Sequence, residues 1–240
     1  MTETTPSWAI LRQVVVATDD LDGDADAVRA AFGLGQGIID PTLEELHLRD
    51  ALLPVSATRF LELVSPDEQN TKVSTWLAGA GGRTGMVLSV QVPDVPGILA
   101  RAEAKGIRVA MEADVFGYPA AQLHPADLGL LLEIDGIADP AVWYWDDMDT
   151  RPEPDAGIDE ILGVVVPVRA PRTPADMVRL WCELLDLEPS TEDTIDLGGA
   201  WVRFADAEST SEWTVVLRAS RPGVLAPELP GIRFDVVLPD

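Results

Sequence analysis

The sequence has very little cysteine and histidine, and each scarcity excludes a kind of protein. Cys182 is the only cysteine, so the chain forms no internal disulfide and has no cysteine cluster for zinc. Two histidines are present, His47 and His124. No stretch approaches the ~18 apolar residues that a membrane-spanning helix needs. The first residues lack the basic region and cleavage site of a signal peptide. We therefore expect a cytoplasmic protein with no membrane partner.

Positive charge is also scarce. The chain has 17 basic and 41 acidic side chains, which give a formal net charge of -24. Phosphate binding requires basic patches, so we expect no nucleic-acid partner. An acidic surface favours cationic ligands or no particular ligand, and a solvated, solubilising face is its simplest interpretation.

Length and composition indicate an ordinary globular chain. With 240 residues, 47% of them hydrophobic and 24% charged, the sequence allows one large domain or two small ones.

Short strand-like runs and amphipathic helical runs occur in one order twice before residue 137. The first occurrence predicts a buried strand at Gln13–Thr18 and a helix at Asp24–Phe32. The second predicts a strand at Met86–Val92 and a helix at Val95–Lys105. Each helix is followed by three strand candidates, at 45–49, 52–55 and 59–64 and then at 108–112, 120–123 and 130–134. The order is βαβββ in both cases and predicts the α+β class.

The order begins a third time after a stretch rich in proline, glycine and acids, residues 151–157, which is typical of an exposed linker. Alignment of Gln13 with Gly163, and of Gly85 with Gly231, superimposes similar residues without gaps and indicates an internal repeat. We predict a domain of two modules at 8–137 and a linker at 138–157. An incomplete domain at 158–240 would hold a third module, with strands near 194–197, 201–205 and 213–219, and the first strand of a fourth.

Repeated βαβββ modules are the architecture of the vicinal oxygen chelate superfamily, which includes glyoxalase I, methylmalonyl-CoA epimerase and bleomycin-resistance proteins. Four segments resemble its strands: RQVVVATDDL (12–21), LPVSATRFLELVSP (53–66), GMVLSVQVPDV (85–95) and LHPADLGLLLEID (123–135). Residues 8–137 are most similar to methylmalonyl-CoA epimerase and related glyoxalase-like proteins, and residues 158–240 resemble the family more weakly. The resemblance implies curved mixed sheets that form an open barrel.

The resemblance also implies a divalent metal held by one residue from each of four strands. The matching positions in this sequence are Gln13, Glu62, Val87 and Glu133. Three of these side chains can coordinate, but valine offers no lone pair. The site would therefore hold either a weakly bound zinc, nickel, cobalt or manganese ion, or no metal.

The two glutamates are the candidate catalytic residues. Glu62 lies between two leucines, so strand alternation turns it to the face opposite theirs, and Glu133 ends a similar run. Both therefore face either the barrel cavity or the solvent. Two carboxylates in one cavity repel each other, which raises a pKa and makes a proton-transfer pair even without metal.

Three further residues are candidate substrate contacts. Gln13 and Val87 would line the same cavity, although Gln13 could equally form a hydrogen bond inside the barrel. His124 lies in a turn before the last strand of the second module and is either a structural corner or a substrate contact. The aromatic run Trp143–Trp145 is either a lid over a ligand or an anchor between the domains.

Two classes of function are compatible with these residues. The first is a small-molecule enzyme of lyase, isomerase or epimerase type that acts beside a carbonyl in the cavity of the first domain. The second is a metal-free protein of bleomycin-resistance type that binds a small organic molecule. An extradiol dioxygenase is not indicated, because its iron site needs two histidines and a carboxylate, and neither histidine lies at a ligand position. A homodimer is a further expectation.

Overall fold

The computed structural model describes residues 7–67, 71–146 and 151–239. Within these residues the expected α+β class and the mixed, curved sheets are confirmed, since strands form one sheet of seven and another of five. The first sheet has the order β2-β3-β1-β4-β7-β6-β5. Its strands are β1 (Ile10–Thr18), β2 (Leu48–Pro54), β3 (Phe60–Pro66), β4 (Arg83–Gln91), β5 (Val109–Val115), β6 (Tyr118–Leu123) and β7 (Leu131–Asp135).

Two modules meet at the centre of the first sheet. β1 and β4 pair antiparallel, and each has a parallel partner on its other side, β3 for β1 and β7 for β4. This arrangement gives one curved sheet with a concave face. The apolar side chains of the opposite face pack against the helices in the main core, among them Val14 and Leu88 with Val28 and Ile98.

Five helices accompany the strands in the described part of the chain: α1 (Leu21–Phe32), α2 (Lys72–Gly79), α3 (Val95–Ala104), α4 (Pro125–Leu128) and α5 (Pro174–Leu185). α1 begins after Asp20, whose side chain accepts a hydrogen bond from the Gly23 amide at 3.1 Å. It ends at Gly33, whose φ of 66° is the left-handed conformation that glycine adopts without strain. None of the helices in the described residues is long and apolar enough to cross a membrane.

The second sheet contains the strands that follow residue 157, in the order β12-β11-β8-β10-β9. They are β8 (Ile158–Val168), β9 (Thr194–Leu197), β10 (Ala200–Asp206), β11 (Trp213–Ala219) and β12 (Ile232–Val237). The sheet is open, which agrees with the expected incompleteness. The boundaries of the two domains and of the linker remain our proposal. Within the linker, Ala156 and Gly157 are buried.

The predicted assignment of the last two strands to modules is wrong. β11 pairs antiparallel with β8, as β4 does with β1, so it opens the fourth module and does not close the third. β12 runs parallel to β11, as β7 does to β4. The alignment of Gly85 with Gly231 gave the wrong assignment because β11 and β12 have similar patterns of apolar and polar residues. Which strand pairs with which is decided by hydrogen bonds between distant parts of the chain. Asp240, the last residue of that alignment, lies outside the described residues.

Smaller differences lie in the connections. The two strands predicted at 45–49 and 52–55 are one strand, β2, preceded by a single turn of 3₁₀ helix at Glu44–Leu46. α2 and α4 have eight and four residues. Such short elements depend on tertiary contacts more than on a periodic pattern, which is why sequence periodicity missed them.

Arginines of the first half bind the second half. Arg83 pairs with Asp24 at 2.6 Å and also donates to the Pro230 carbonyl at 2.9 Å. Arg59 forms an ion pair with Glu160 at 3.0 Å. Behind these contacts, the Trp213 ring lies directly against Gly85, where an added methyl group would meet the ring at 1.9 Å. The two halves are therefore joined by polar contacts and by close packing.

Candidate functional site

The concave face of the first sheet carries a row of polar side chains. Gln13 on β1 lies opposite Ser89 on β4, and Ser89 lies opposite Glu133 on β7. Glu62 on β3 lies opposite Val15, two residues beyond Gln13. Because residues two apart on a strand share a face, the sheet directs Glu62 and Glu133 to the same side.

Among the described residues, Glu62 forms a side-chain hydrogen bond with the amide of Gln13 and no ion pair with a basic side chain. Gln13 Nε2 donates to Glu62 Oε2 at 2.7 Å, and Gln13 Oε1 accepts from Trp145 Nε1 at 3.1 Å. The exposed fractions of Gln13 and Glu62 are 6% and 4%. Both polar ends of Gln13 are therefore occupied by other side chains of the protein.

Two further carboxyl groups lie along β7. Glu133 Oε2 accepts from Gln122 Nε2 at 2.6 Å. Asp135 Oδ2 accepts from the Ser89 hydroxyl at 2.7 Å, and its Oδ1 accepts from the Tyr144 hydroxyl at 3.0 Å. Asp135 is buried and Glu133 is half-buried, so of these two Glu133 is the one nearer to solvent.

Burial raises the pKa of these groups. It raises the pKa of Glu62 well above the usual range, and the negative charges of Asp50, Asp40 and Glu133 act in the same direction. It likewise raises the pKa of Asp135, to which the charge of Glu133 adds, and the pKa of Glu133. No basic side chain of the described residues forms an ion pair with Glu62, Glu133 or Asp135.

Asp50 extends this acidic region on β2. Burial raises its pKa to about 6, although the backbone amide of Asp40 donates to both of its carboxyl oxygens, at 3.2 and 3.0 Å. The concave face therefore holds several carboxyl groups whose pKa values are raised by burial.

The aromatic run Trp143–Trp145 closes one end of this face. Trp143 and Trp145 are buried in a cluster with Leu52, Phe60 and Ile137, and Tyr144 packs against it. These contacts all lie in the first half, so they do not support an anchor between the domains, and a lid over a ligand stays a prediction. The indole nitrogen of Trp143 is buried and has no hydrogen-bond partner among the described residues.

Apolar side chains close the other end. Val87 is 4% exposed and packs with Val15, Ala17 and Val64 of the sheet and with Leu77 of α2. Val87 therefore lies in an apolar cluster on the same face as the carboxyl groups, and both Val87 and Glu62 lie opposite Val15.

The residues of the site do not fit the metal centre that the resemblance implies. Val87 has no donor atom, and both ends of the Gln13 amide are engaged by Glu62 and Trp145. Within the described residues, no three His, Cys, Asp or Glu side chains are close enough to hold an ion.

His124 lies apart from the row. It is the N-cap residue of α4, where its Nδ1 accepts from the Ala126 amide at 3.1 Å. This is the geometry of a structural corner. A contact between His124 and a substrate stays a prediction that this arrangement does not favour.

Sequence reasoning missed Ser89, Asp135 and Tyr144. The alternation of β4 and β7 already puts Ser89 on the face of Val87, and Asp135 on the face of Glu133. Asp135 lies in the segment 123–135 that resembles a strand, but nothing in the sequence distinguishes it as a functional residue. Nothing local in the sequence predicts that Tyr144 returns to bind Asp135.

The second sheet does not repeat the site. Trp201 lies opposite Gly163, as Phe60 does opposite Gln13, which puts Arg203 at the place of Glu62. The Trp201 ring fills the space that a side chain at Gly163 would need. A second site of the same kind is therefore disfavoured for a steric and an electrostatic reason.

The paired βαβ units at the centre of the first sheet decide the fold. Their arrangement is the glyoxalase-like one that the sequence resemblance implies. No protein family profile matches the sequence, and no curated protein matches it.

Some solved structures are similar to about half of this chain. A variant of methylmalonyl-CoA epimerase from Streptomyces coelicolor, in complex with 2-nitronate-propionyl-CoA, is 26% identical, with a TM-score of 0.47 over 54% of this chain and 97% of the epimerase. Methylmalonyl-CoA epimerase from Mycobacterium tuberculosis is 21% identical, with a TM-score of 0.47 over 56% of this chain and 92% of that one. A hypothetical protein from Bacillus halodurans is 16% identical, with a TM-score of 0.47 over 56% and 99%.

Proposed function

We propose that the chain is a small-molecule enzyme of lyase, isomerase or epimerase type that moves a proton beside a carbonyl without a metal. Glu62 and Glu133 are the proposed catalytic residues, and Gln13 is the proposed substrate-orienting residue. The reaction would take place on the concave face of the first sheet.

One observation carries the proposal. Carboxyl groups share a largely buried face, lack a cationic partner among the described residues, and have raised pKa values. A carboxyl group whose pKa lies near the working pH can both take and return a proton. Charged partners would instead fix such groups in the ionised form.

The surroundings of the two glutamates suggest different roles. Glu62 is almost fully buried, and three neighbouring acidic groups oppose its ionisation, so it is suited to donate a proton. Glu133 is half-buried and ionises more readily, so it is suited to act as the base. A substrate would then arrive from the side of Glu133 and Gln122, both of which reach solvent.

A hydrogen-exchange assay tests this proposal. Small ketones, 3-oxo acids and thioesters with a proton on the carbon beside the carbonyl would be incubated with the protein in D₂O and followed by ¹H NMR. We expect the protein to catalyse exchange on at least one of these classes. Removal of a catalytic acid or base lowers rates about a hundredfold or more, so Glu62→Gln and Glu133→Gln should each abolish most of it.

The exposed Glu112 on β5 offers a matched control. Glu112→Gln and treatment with a chelator should leave the exchange rate unchanged. Exchange that survives both active-site substitutions would contradict the assignment, and exchange that needs added zinc, nickel, cobalt or manganese would contradict a metal-free mechanism.

A binding protein is the second candidate, and the aromatic lid favours it. Trp143, Tyr144 and Trp145 form an apolar wall beside acidic groups, and the buried indole N–H of Trp143 has no acceptor among the described residues. Such a lid could enclose a small organic molecule that is never transformed. Calorimetric binding of a compound that shows no exchange would favour this alternative. A cytoplasmic location, a homodimer and the absence of nucleic-acid partners remain predictions.

A further inference from the structure

A groove of about 600 Å³ lies between the two halves of the chain. Its walls are α2 and the start of β4 in the first half, and the connection from β8 to α5 in the second. Ligand pockets of ~300–1,000 Å³ hold molecules of drug size.

The charge of this groove is opposite to that of the chain. The protein has 41 acidic and 17 basic side chains. Nevertheless, none of the described side chains that line the groove is acidic, and Arg169 and Arg172 both line it. The groove is therefore a local positive region on a strongly negative protein, and such a region favours an anion.

Neither arginine is neutralised by a carboxylate of the described residues. Arg169 is exposed, and those residues offer it neither an ion pair nor a hydrogen bond. Arg172 is half-buried and donates to the main-chain carbonyl of Asp127, and its Nη1 lies 3.7 Å from the Met177 sulfur. The Asp127 carboxylate is itself engaged by Arg108 at 2.8 Å. Arg172 is thus held in place by neutral acceptors and keeps its charge for a ligand.

Aromatic rings form the apolar part of the wall. Trp76 on α2 is 43% exposed and lines the groove, whereas Trp213, which also borders the groove, is buried against Gly85. A planar guanidinium group matches the two oxygens of a carboxylate, and an indole ring offers a flat surface for stacking. We propose that this groove is a binding site for small aromatic carboxylates, separate from the site on the first sheet.

Isothermal titration calorimetry with 2-naphthoate tests the proposal, with 2-naphthylmethylamine as a probe of similar shape and opposite charge. We expect 2-naphthoate to bind and the amine not to bind. Arg169→Gln and Arg172→Gln should each weaken 2-naphthoate binding about tenfold, which corresponds to ~1.4 kcal/mol. Arg169→Gln is the safer variant, because that side chain has no polar contact to lose within the described residues.

Arg179→Gln is the matched control, since Arg179 is exposed on α5 and pairs with Asp176 outside the groove. It should leave the dissociation constant unchanged. The proposal is overturned if wild-type protein does not bind 2-naphthoate at millimolar concentration, if the amine binds equally well, or if Arg169→Gln binds like wild type. Loss of binding in Glu133→Gln, with binding retained in Arg169→Gln, would assign the ligand to the first sheet instead.

Discussion

Glu62 and Glu133 are chemically identical side chains in different surroundings. Glu62 is buried and accepts a hydrogen bond from the Gln13 amide. Glu133 is half-buried and accepts a hydrogen bond from Gln122. Burial raises the pKa of both, and more strongly for Glu62. In the proposed reaction, the different surroundings alone would make Glu62 the acid and Glu133 the base.

The raised pKa of Glu62 predicts how stability depends on pH. Because the folded pKa is above the unfolded value, the native chain binds more protons between the two values, and the free energy of unfolding falls as pH rises through that interval. Glu62→Gln takes up no proton and keeps an oxygen for Gln13. We therefore expect the variant's melting temperature to rise relative to that of wild type as the pH increases above the usual range for a glutamate. Parallel curves for the two proteins would contradict this, and Glu112→Gln is the control.

Glycine at position 85 is required by the ring that lies against it. A methyl group there would meet Trp213 at 1.9 Å, whereas one at Gly79 would meet nothing within 4 Å. Overpacking of a core typically costs about 1–3 kcal/mol, so Gly85→Ala should lower the free energy of unfolding by about 3 kcal/mol. Gly79→Ala should change it little. Urea denaturation measures both, and equal effects would mean that Trp213 does not pack on Gly85.

At the scale of elements, the strands that begin and end each module of the first half were predictable, and the connections were not. β1 and β8 each contain three consecutive valines, and such a short apolar, β-branched run predicts a buried strand. α2 gave no such signal, because its eight residues offer one buried side chain, Leu77. The candidate site follows the same division. Alternation predicts the directions of Glu62 and Glu133, but the partners Trp145 and Tyr144 come from a distant segment.

α5 offers a local test at this scale. Its first turn has a capping box, in which Thr173 Oγ1 accepts from the Asp176 amide at 3.2 Å and the Asp176 side chain accepts from the Thr173 amide at 3.1 Å. Replacement of such a cap by alanine costs about 1 kcal/mol. Thr173→Ala should lower the free energy of unfolding by that amount in urea denaturation. Ser190→Ala, at an exposed hydroxyl without a hydrogen bond in the described residues, should not.

At the scale of the whole molecule, β12 contacts the first half as well as its own sheet. It pairs with β11, and its Phe234 ring meets Phe32 of α1 with centroids 5.8 Å apart. Polar contacts from Arg59 and Arg83 add to this interface. The second half thus completes its packing on the first half and has no closed sheet of its own among the described residues.

Removal of residues 231–240 should therefore affect both halves. It would uncover the edge of β11, which is a template for pairing with other chains, and would expose Phe32. We expect a lower melting temperature and aggregation, measured by calorimetry and light scattering. Removal of only 238–240 is the control and should change neither. An unchanged melting temperature in the longer deletion would show that β12 is dispensable.

Trp145 of the aromatic run lies close enough to Glu62 for its fluorescence to report on that carboxyl group. Trp145 donates its indole hydrogen to Gln13, which in turn donates to Glu62. Ionisation of Glu62 changes the electric field at that indole, and a ligand that displaces the lid changes its exposure to water. The fluorescence emission of Trp145 should therefore shift with pH and with ligand binding. The part of the signal that is lost in Trp145→Phe identifies this shift. It reports the state of the site without a labelled substrate.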